Sequence, residues 1–171
     1  CIRDSGTAGL GANSESVVLN TVSSAITLGA AGQSGNITIR GDLLYTSNNN
    51  VNLLGTGAVV IEPLTGNFTS AFNTLRYSMP STASSLRLGK SGNTGGITVS
   101  NAVSLAGPIS IFGGPVALNA SLASSTSDIG ITTSALTGSG GISIPSAKLL
   151  TITQSGTSTF DGLISGGGGL T

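Results

Sequence analysis

"GGITVSNAVSLAGPISIFGGPVALNASLA", residues 95–123, alternates short apolar runs with Gly, Asn, Ser or Pro. Similar runs of about 4–8 residues, rich in Val, Ile, Leu and Thr, recur along the chain, which is the pattern of strands separated by turns. A sustained helical period is absent, and the helix-favouring residues Glu, Lys, Gln and Arg are scarce. The sequence therefore predicts an all-β protein with many short strands.

An internal repeat indicates how these strands are arranged. Residues 26–40, "ITLGAAGQSGNITIR", align without gaps with residues 86–100, "LRLGKSGNTGGITVS". The shared positions are Leu28 and Leu88, Gly29 and Gly89, Gly32 and Gly92, Gly35 and Gly95, Ile37 and Ile97, and Thr38 and Thr98. Because solenoid coils can take roughly 20 residues, the offset of about 60 residues corresponds to about three coils. We therefore expect the shared glycines at equivalent corners of stacked coils.

Composition distinguishes the two all-β architectures that fit this pattern. A β-sandwich needs bulky core residues and a charged outer face, but only 4% of the 171 residues are aromatic and 7% are charged. A β-solenoid has a narrow core suited to Val, Ile, Leu and Ala. Its outer ladders favour Ser, Thr and Asn, because stacked like charges repel. We therefore predict a parallel β-solenoid of about 20 residues per coil, with about eight coils and a length of roughly 40 Å.

Charge and residue types exclude several functions. The formal net charge is zero and the six Lys and Arg residues are scattered, so nucleic acid is not an expected partner. No stretch approaches the ~18–20 apolar residues of a transmembrane helix. Cys1 is the single cysteine and His is absent, which excludes Cys-based metal clusters and Ser-His or Cys-His pairs. Nothing positions Lys90 or Lys148 beside a serine nucleophile. We therefore predict no enzyme activity, no cofactor, and no catalytic, cofactor-binding or metal-binding residue.

Two acidic residues nevertheless offer an alternative. The chain has six acids, of which Asp42 and Glu62 lie about one coil apart. Stacked on one face, this pair would suit glycoside hydrolysis or Ca²⁺ binding. The competing interpretation is two turn residues facing water. Likewise, Arg40-Gly41-Asp42 is either an integrin-recognition tripeptide or, as we expect, an ordinary turn between strands.

Other short motifs carry weaker signals. "GKSG", residues 89–92, is not a phosphate-binding loop, because Ser84 stands where that motif requires Gly. Thr-x-Thr pairs would suit ice or a sugar crystal face only if they recurred once per coil, and no such register is visible. These pairs are Thr151 with Thr153 and Thr157 with Thr159. The run Asn48–Asn50 predicts a turn or the start of a ladder. Glycosylation sequons begin at Asn36, Asn67 and Asn119 and matter only in a source that glycosylates Asn.

Residues 63–85 are the least strand-like segment. They contain Phe68, Phe72, Tyr77 and the only methionine, Met79. We expect either an irregular loop that leaves the regular coil or a loose coil packed by these aromatics. A partner site on such a loop is the functional alternative to plain packing.

Three stretches resemble known families. The segments "GNITIRGD" (35–42) with "VNLLGTGAVVIEPLTGNF" (51–68), and "LRLGKSGNTGGITVSNAVSLAGPISIFGGPVALNASLAS" (86–124), resemble repeats of filamentous-haemagglutinin-like bacterial adhesins. The closing "GTSTFDGLISGGGGLT" (156–171) resembles the autotransporter-associated β-strand repeat. These resemblances imply a right-handed parallel β-helix in a large exoprotein on the bacterial outer surface. They bring no catalytic residues, and the first 25 residues match less well.

The resemblance implies a structural or adhesive stalk that contacts host or bacterial cell surfaces, glycans or other copies of itself. Because neither terminus carries a polar cap, we expect residues 1–171 to be one internal segment of a longer rod. We expect the final Gly run to be a corner before a strand outside the sequence, and Cys1 to be an arbitrary start rather than a lipidated terminus. Two alternatives stay open: a self-assembling fibre subunit and a β-helical polysaccharide-cleaving enzyme.

Overall fold

The fold is a parallel β-solenoid, seen in a computed structural model that describes residues 16–18, 25–45 and 50–171. A 3₁₀ turn, Thr74–Arg76, lies between two of the short strands. The strands, in chain order, are β1 (Ser16–Val18), β2 (Ile26–Gly29), β3 (Ile37–Arg40), β4 (Leu43–Tyr45), β5 (Val51–Leu54), β6 (Ala58–Glu62), β7 (Phe72–Asn73), β8 (Tyr77–Ser78), β9 (Ser85–Gly89), β10 (Ile97–Val99), β11 (Val103–Leu105), β12 (Ile109–Phe112), β13 (Pro115–Leu118), β14 (Leu122–Ser124), β15 (Ile129–Thr133), β16 (Ala135–Thr137), β17 (Ile142–Ile144), β18 (Leu149–Gln154), β19 (Ile164–Gly166) and β20 (Gly169–Leu170).

The chain winds through three sides in a fixed order. The first side is a continuous seven-stranded parallel sheet, β3-β6-β9-β12-β15-β18-β20. The second side holds the pair β1-β4 and then the sheet β7-β10-β13-β16. The third side holds the sheets β2-β5-β8 and β11-β14-β17-β19. The prediction of an all-β protein with a parallel β-solenoid fold is therefore confirmed.

The register of the first side gives the length of each coil. The inward position passes through Ile37, Val59, Leu86, Ile109, Ile129, Leu150 and Leu170, which are successive register partners. Its steps range from 20 to 27 residues, and these seven positions enclose six coils of about 22 residues. At the usual strand spacing, the described sheet is roughly 29 Å long. The predicted coil length of about 20 residues is close. These six coils lie between Ile37 and Leu170, whereas the prediction of about eight coils was made for all 171 residues.

Aliphatic side chains fill the interior. A second inward column on the first side, two residues further along each strand, contains Ile39, Ile61, Leu88, Ile111, Ile131 and Ile152. Val, Ile and Leu dominate the buried core, which also takes in strands of the other two sides. The branched aliphatic residues of the short runs are therefore the residues that stack between coils.

Residues 63–85 lie in the longest coil step of the first side. The step from Val59 to Leu86 spans 27 residues and includes β7, the 3₁₀ turn and β8. Phe68, Phe72 and Tyr77 are buried there, with ring centroids 5.5 Å apart for the first pair and 5.2 Å for the second. Met79 packs partly buried against the same core. The additional residues thus return to the rod, and the aromatic rings fill the wider interior.

The repeated glycines mark a local corner rather than equivalent positions in the stack. Gly29 and Gly89 have φ of +81° and +75°, and Gly32 and Gly92 have φ of +77° and +83°. However, Gly29 and Gly32 lie at the corner that ends β2 on the third side. Gly89 and Gly92 lie at the corner that ends β9 on the first side. The expectation of stacked equivalent corners is wrong, because the unequal coils between them do not add up to the offset of the repeat.

The closing Gly run also differs from its prediction. It does form a corner, with Gly166 at φ +111°, but the next strand lies within the chain. This strand is β20, where Leu149 and Leu150 of β18 face Gly169 and Leu170 in parallel register. The final glycines therefore lead back to the first side of the rod.

Candidate functional site

Glu62 lies between two arginines on adjacent strands of the first side. Its Oε1 accepts a hydrogen bond from Arg40 Nε at 2.6 Å, and its Oε2 accepts one from Arg87 Nη2 at 2.6 Å. The Glu62 side chain is 8% exposed, whereas the two arginine side chains are 46% and 43% exposed. Both carboxylate oxygens are therefore engaged in an ion-pair triad that joins β3, β6 and β9.

Asp42 has a separate set of partners. Its Oδ1 accepts from the Thr65 backbone N–H at 2.9 Å, and its Oδ2 accepts from the Thr65 hydroxyl at 2.7 Å. Its backbone carbonyl accepts from Thr69 N–H at 2.8 Å and from the Thr69 hydroxyl at 3.1 Å. Asp42 therefore joins the beginning of residues 63–85, which we call the aromatic coil, to the coil before it.

These contacts decide between the interpretations of the two acids. Asp42 is 2% exposed and Glu62 is 6% exposed, so the expectation that both face water as turn residues is wrong. Each is bound by its own neighbours, which leaves no shared pair of carboxylates. The tripeptide Arg40-Gly41-Asp42 also lacks the exposed aspartate that a receptor-binding loop requires. Within the described ranges, no cluster of His, Cys, Asp and Glu is suited to hold a metal ion.

The two lysines considered as bases occupy corners. The Lys90 ammonium donates to the backbone carbonyls of Leu64, at 3.3 Å, and Thr65. It therefore holds the same segment that Asp42 binds. Lys148 is half-buried at the turn before β18, where its backbone N–H donates to Pro145 O at 3.2 Å.

Asn93 is a buried polar residue that ties three successive coils together. Its Oδ1 accepts from the backbone N–H of Phe68 at 3.1 Å and of Gly95 at 3.0 Å. Its Nδ2 donates to the carbonyls of Gly95 at 3.2 Å and Phe112 at 2.8 Å. Every strong hydrogen-bonding site of the amide is used, as expected for a buried amide. In the sequence, Asn93 is indistinguishable from the many exposed Asn and Ser residues of the turns.

Thr133 has a similar function two coils further along the rod. Its hydroxyl oxygen lies 2.5 Å from Gly114 O and 2.8 Å from Ala135 O, and it accepts from Ala135 N–H at 3.1 Å. Buried Ser124 and Thr74 also bond backbone groups of neighbouring turns. Short polar side chains thus satisfy the backbone where the chain leaves the sheets.

A shallow groove runs beside the corner that contains Asn93 and Thr133. Four successive coils line it, through residues 91–94, 112–114, 132–134 and 153–155, and its volume is about 440 Å³. Along one edge, backbone bonds run from Gly114 N to Gly95 O at 3.0 Å, from Ser134 N to Gly114 O at 2.7 Å, and from Gly156 N to Ser134 O at 2.9 Å. The groove is therefore parallel to the rod axis and rests on a bonded corner.

The floor of the groove is a column on the outer face of the first side. Phe112, Thr132 and Thr153 are successive register partners in β12, β15 and β18. Phe112 is half-buried and both threonines are exposed. None of the residues that line the groove is charged. The groove therefore combines one aromatic side chain with hydroxyl and amide groups.

The threonine register was missed in the sequence. Thr132 faces Thr153, and the hydroxyl oxygens of Thr151 and Thr171 lie 3.2 Å apart. Unequal coil lengths conceal these columns when a constant spacing is sought. They remain short, because Gly130 faces Thr151 and Phe112 faces Thr132. Thr157 and Thr159 are exposed outside the strands.

The sequon asparagines also have defined positions. Asn36 Oδ1 accepts from Ala58 N–H at 2.9 Å, and Asn67 Oδ1 accepts from Thr94 N–H at 2.6 Å and from its hydroxyl at 3.0 Å. Asn119 is exposed. Predictions on Cys1, Asn48 and Asn49 fall outside the described residues.

Comparisons with known proteins gave no match to a family model, to a curated protein or to a solved structure. The resemblance to bacterial adhesin repeats therefore stays a prediction. In the part of the chain that the structure describes, no helix has the length and apolar character needed to span a membrane.

Proposed function

We propose that this chain is a structural, adhesive stalk segment of a bacterial exoprotein on the outer cell surface. The observation that carries this proposal is the continuous seven-stranded parallel sheet along one side of the solenoid. Hydrogen bonds between its strands run along the rod axis, so tension along the rod passes through each strand pair in turn and is shared by the bonds within that pair. Such a rod holds a contact surface at a distance from its anchor.

The polar corners support a mechanical function. Asn93 joins three coils, and Asp42 joins the aromatic coil to its predecessor. Buried polar groups that are fully bonded rigidify their surroundings, whereas an unpaired one is costly. These contacts favour a stiff rod over a flexible spacer.

The low charge of the surface supports an adhesive function. With 7% charged residues and no formal net charge, the rod approaches cells, glycans and other rods without strong repulsion. The resemblance of residues 35–68 and 86–124 to adhesin repeats agrees with these partners. We do not propose a polysaccharide-cleaving enzyme, because the two acids on which that alternative depended have separate partners.

Surface display tests the proposal. A non-adherent bacterium displaying residues 1–171 on a defined anchor is expected to attach to host cells or bacterial lawns more strongly than one displaying an unrelated rod of equal length. Attachment is counted under flow, with equal surface expression verified by antibody. Equal attachment by the two strains would overturn the adhesive function.

A self-assembling fibre is the second candidate, and the last coil favours it. Leu163 is 74% exposed and Leu170 is 58% exposed. Ile164, next to Leu163, is also exposed, as is Leu149, which faces Gly169 in the register of β18 and β20. An apolar strand edge of this kind is suited to pairing with another coil. Sedimentation of the 171-residue chain tests this candidate: concentration-dependent polymers support it, and a monomer at high concentration contradicts it.

A further inference from the structure

We propose that the groove formed by residues 91–94, 112–114, 132–134 and 153–155 binds a linear, uncharged polysaccharide along the rod axis. This inference deepens the adhesive function proposed above and rests on it, since it names the ligand class of the rod's surface. The shape of the groove is the first argument. Four successive coils line it, and at the usual strand spacing its ends are about 14 Å apart. That length accommodates several units of an extended polymer.

The chemistry of the lining is the second argument. Five exposed residues of the lining present hydroxyl groups, which both donate and accept hydrogen bonds. These residues are Ser91, Thr132, Ser134, Thr153 and Ser155. Sugar hydroxyls have the same dual capacity and therefore match these groups. The floor also contains the ring of Phe112, whose register neighbour on β9 is Gly89 and contributes no side chain. An aromatic ring beside polar groups suits a sugar, which has apolar C–H faces between its hydroxyls.

The absence of charge in the lining is the third argument. Nucleic acids and acidic polysaccharides are bound through Lys and Arg, and none lines this groove. The cations that the structure places on the first side, Arg40 and Arg87, are paired with Glu62. A neutral polymer is therefore the ligand that the groove fits.

A bound peptide strand fits less well. Peptide addition to a sheet requires an open edge of unpaired backbone groups. The corner of this groove is closed, since Gly114 and Ser134 bond the coils on both sides of them through backbone atoms. Recognition therefore depends on side chains, as in the binding of a saccharide.

The corner residues explain why the groove keeps its shape without a ligand. Asn93 and Thr133 lie under the lining and are 6% and 3% exposed. Their hydrogen bonds fix the backbone at Gly95, Gly114 and Ala135, where it borders the groove. A preformed site loses less conformational entropy on binding than a flexible one.

Titration of the purified 171-residue chain tests the proposal. The probes are dextran, amylose, mannan and laminarin as neutral polymers, and heparin and polygalacturonate as charged polymers. We expect at least one neutral polymer to bind and neither charged polymer to do so. Thr153→Glu places a charge on the groove floor, and Phe112→Ala removes the ring. Both are expected to weaken binding at least about tenfold, since each removes interactions worth about 1.4 kcal/mol or more.

Ser143→Glu is the matched control, because Ser143 is an exposed strand residue on the third side of the rod. It is expected to leave affinity within about twofold, and thermal unfolding verifies that all three variants are folded. Binding of charged polymers only, binding of no polymer, or equal affinity of Thr153→Glu and the original chain would overturn the proposal. The flow assay separates the two proposals. If bacteria displaying the Thr153→Glu variant still attach, the proposed function of the groove is contradicted but the adhesive function is not. If the original chain binds a saccharide but does not promote attachment, only the adhesive function is contradicted.

Discussion

Arg87 and Glu62 form an ion pair although they are not register partners. Arg87 faces Val60 across β9 and β6, and its guanidinium reaches two positions along β6 to place Nη2 2.6 Å from Glu62 Oε2. Arg40 is the register partner of Glu62 and binds the other oxygen. One carboxylate therefore compensates two cations on the outer face of three adjacent strands.

Removing this carboxylate is expected to destabilise the rod. Glu62→Gln leaves two arginines without their counter-charge, and the Nε atom of Arg87 is already buried with no partner. Because both arginines are partly exposed, we expect a loss of about 1–2 kcal/mol in the free energy of unfolding. Urea denaturation measures the loss, which should shrink at high salt. Asp161→Asn, at an exposed acid, is the control, and equal effects of the two substitutions would contradict the structural function of Glu62.

Asn93 is expected to contribute more than an exposed asparagine. Asn93→Ala leaves backbone groups of Phe68, Gly95 and Phe112 without partners inside the rod, which should cost about 2–4 kcal/mol. Asn93→Asp keeps the acceptor for Phe68 and Gly95 N–H but buries a carboxylate oxygen against the carbonyls of Gly95 and Phe112, so a loss comparable to that of Asn93→Ala is expected. Asn119→Ala, at an exposed corner, should change stability by less than about 0.5 kcal/mol. The midpoint of urea unfolding gives all three values, and similar losses for Asn93→Ala and Asn119→Ala would contradict this account.

Tyr77 makes stability depend on alkaline pH. Burial raises the pKa of Tyr77 from 10.0 to about 12, and its hydroxyl is buried without a hydrogen-bond partner. Above pH 10 the unfolded chain loses this proton while the folded chain keeps it. The free energy of unfolding therefore falls as the pH rises from about 10 to about 12. Below about pH 10, Tyr77 is protonated in both states, so the free energy of unfolding does not depend on its ionisation.

Tyr77→Phe isolates the effect. At pH 8 the variant should be as stable as the original chain or more stable by up to about 1 kcal/mol, because it removes an unpaired polar group. At pH 11 its advantage should grow by about 1.4 kcal/mol, one pKa unit of proton linkage. Urea unfolding at the two pH values measures the change. An advantage that is the same at pH 8 and pH 11 would contradict the raised pKa.

The sequence predicts the strands well and their stacking less well. Runs such as "ISIFGG" and "DIGITT" form β12 and β15, because alternating Ile residues point inward and meet the same positions of the next coil. The step from Val59 to Leu86 is longer than its neighbours, since Phe68, Phe72 and Tyr77 widen that coil. A constant coil length therefore predicts Gly29 and Gly89 at equivalent corners, whereas in the structure they lie on different sides of the rod. Local periodicity specifies each strand, whereas register depends on how much side-chain volume each coil encloses.

The sequence alone also does not predict the groove or the buried polar residues at the corners. Asn93 and Thr133 have the same residue types as the exposed turns. Their burial depends on the neighbouring coils, which place Phe112 beside Asn93 and Gly114 beside Thr133. The column of Phe112, Thr132 and Thr153 depends on the same register.

Coil deletion tests the register directly. Removing Ile109–Asp128 joins Pro108 to Ile129 and takes out one complete coil, because Ile129 and Ile131 are the register partners of Ile109 and Ile111. β15 is then expected to pair with β9, placing Ile129 beside Leu86 and Ile131 beside Leu88, the current partners of β12. The corner is conserved as well, since Thr132 takes the place of Phe112 beside Asn93.

The shortened chain should fold, with an unchanged β-sheet signal per residue in circular dichroism. Its denaturant m-value should fall by about one eighth, because m scales with the surface exposed on unfolding and 20 of the 171 residues are removed. The matched control removes Ile109–Leu118, which deletes β12 and β13 and brings β14 to a side of the rod where it has no register partner. This half-coil deletion should abolish cooperative unfolding. If both deletions fold equally well, or if the whole-coil deletion fails to fold, the coils are not the interchangeable units that the register of the first side implies.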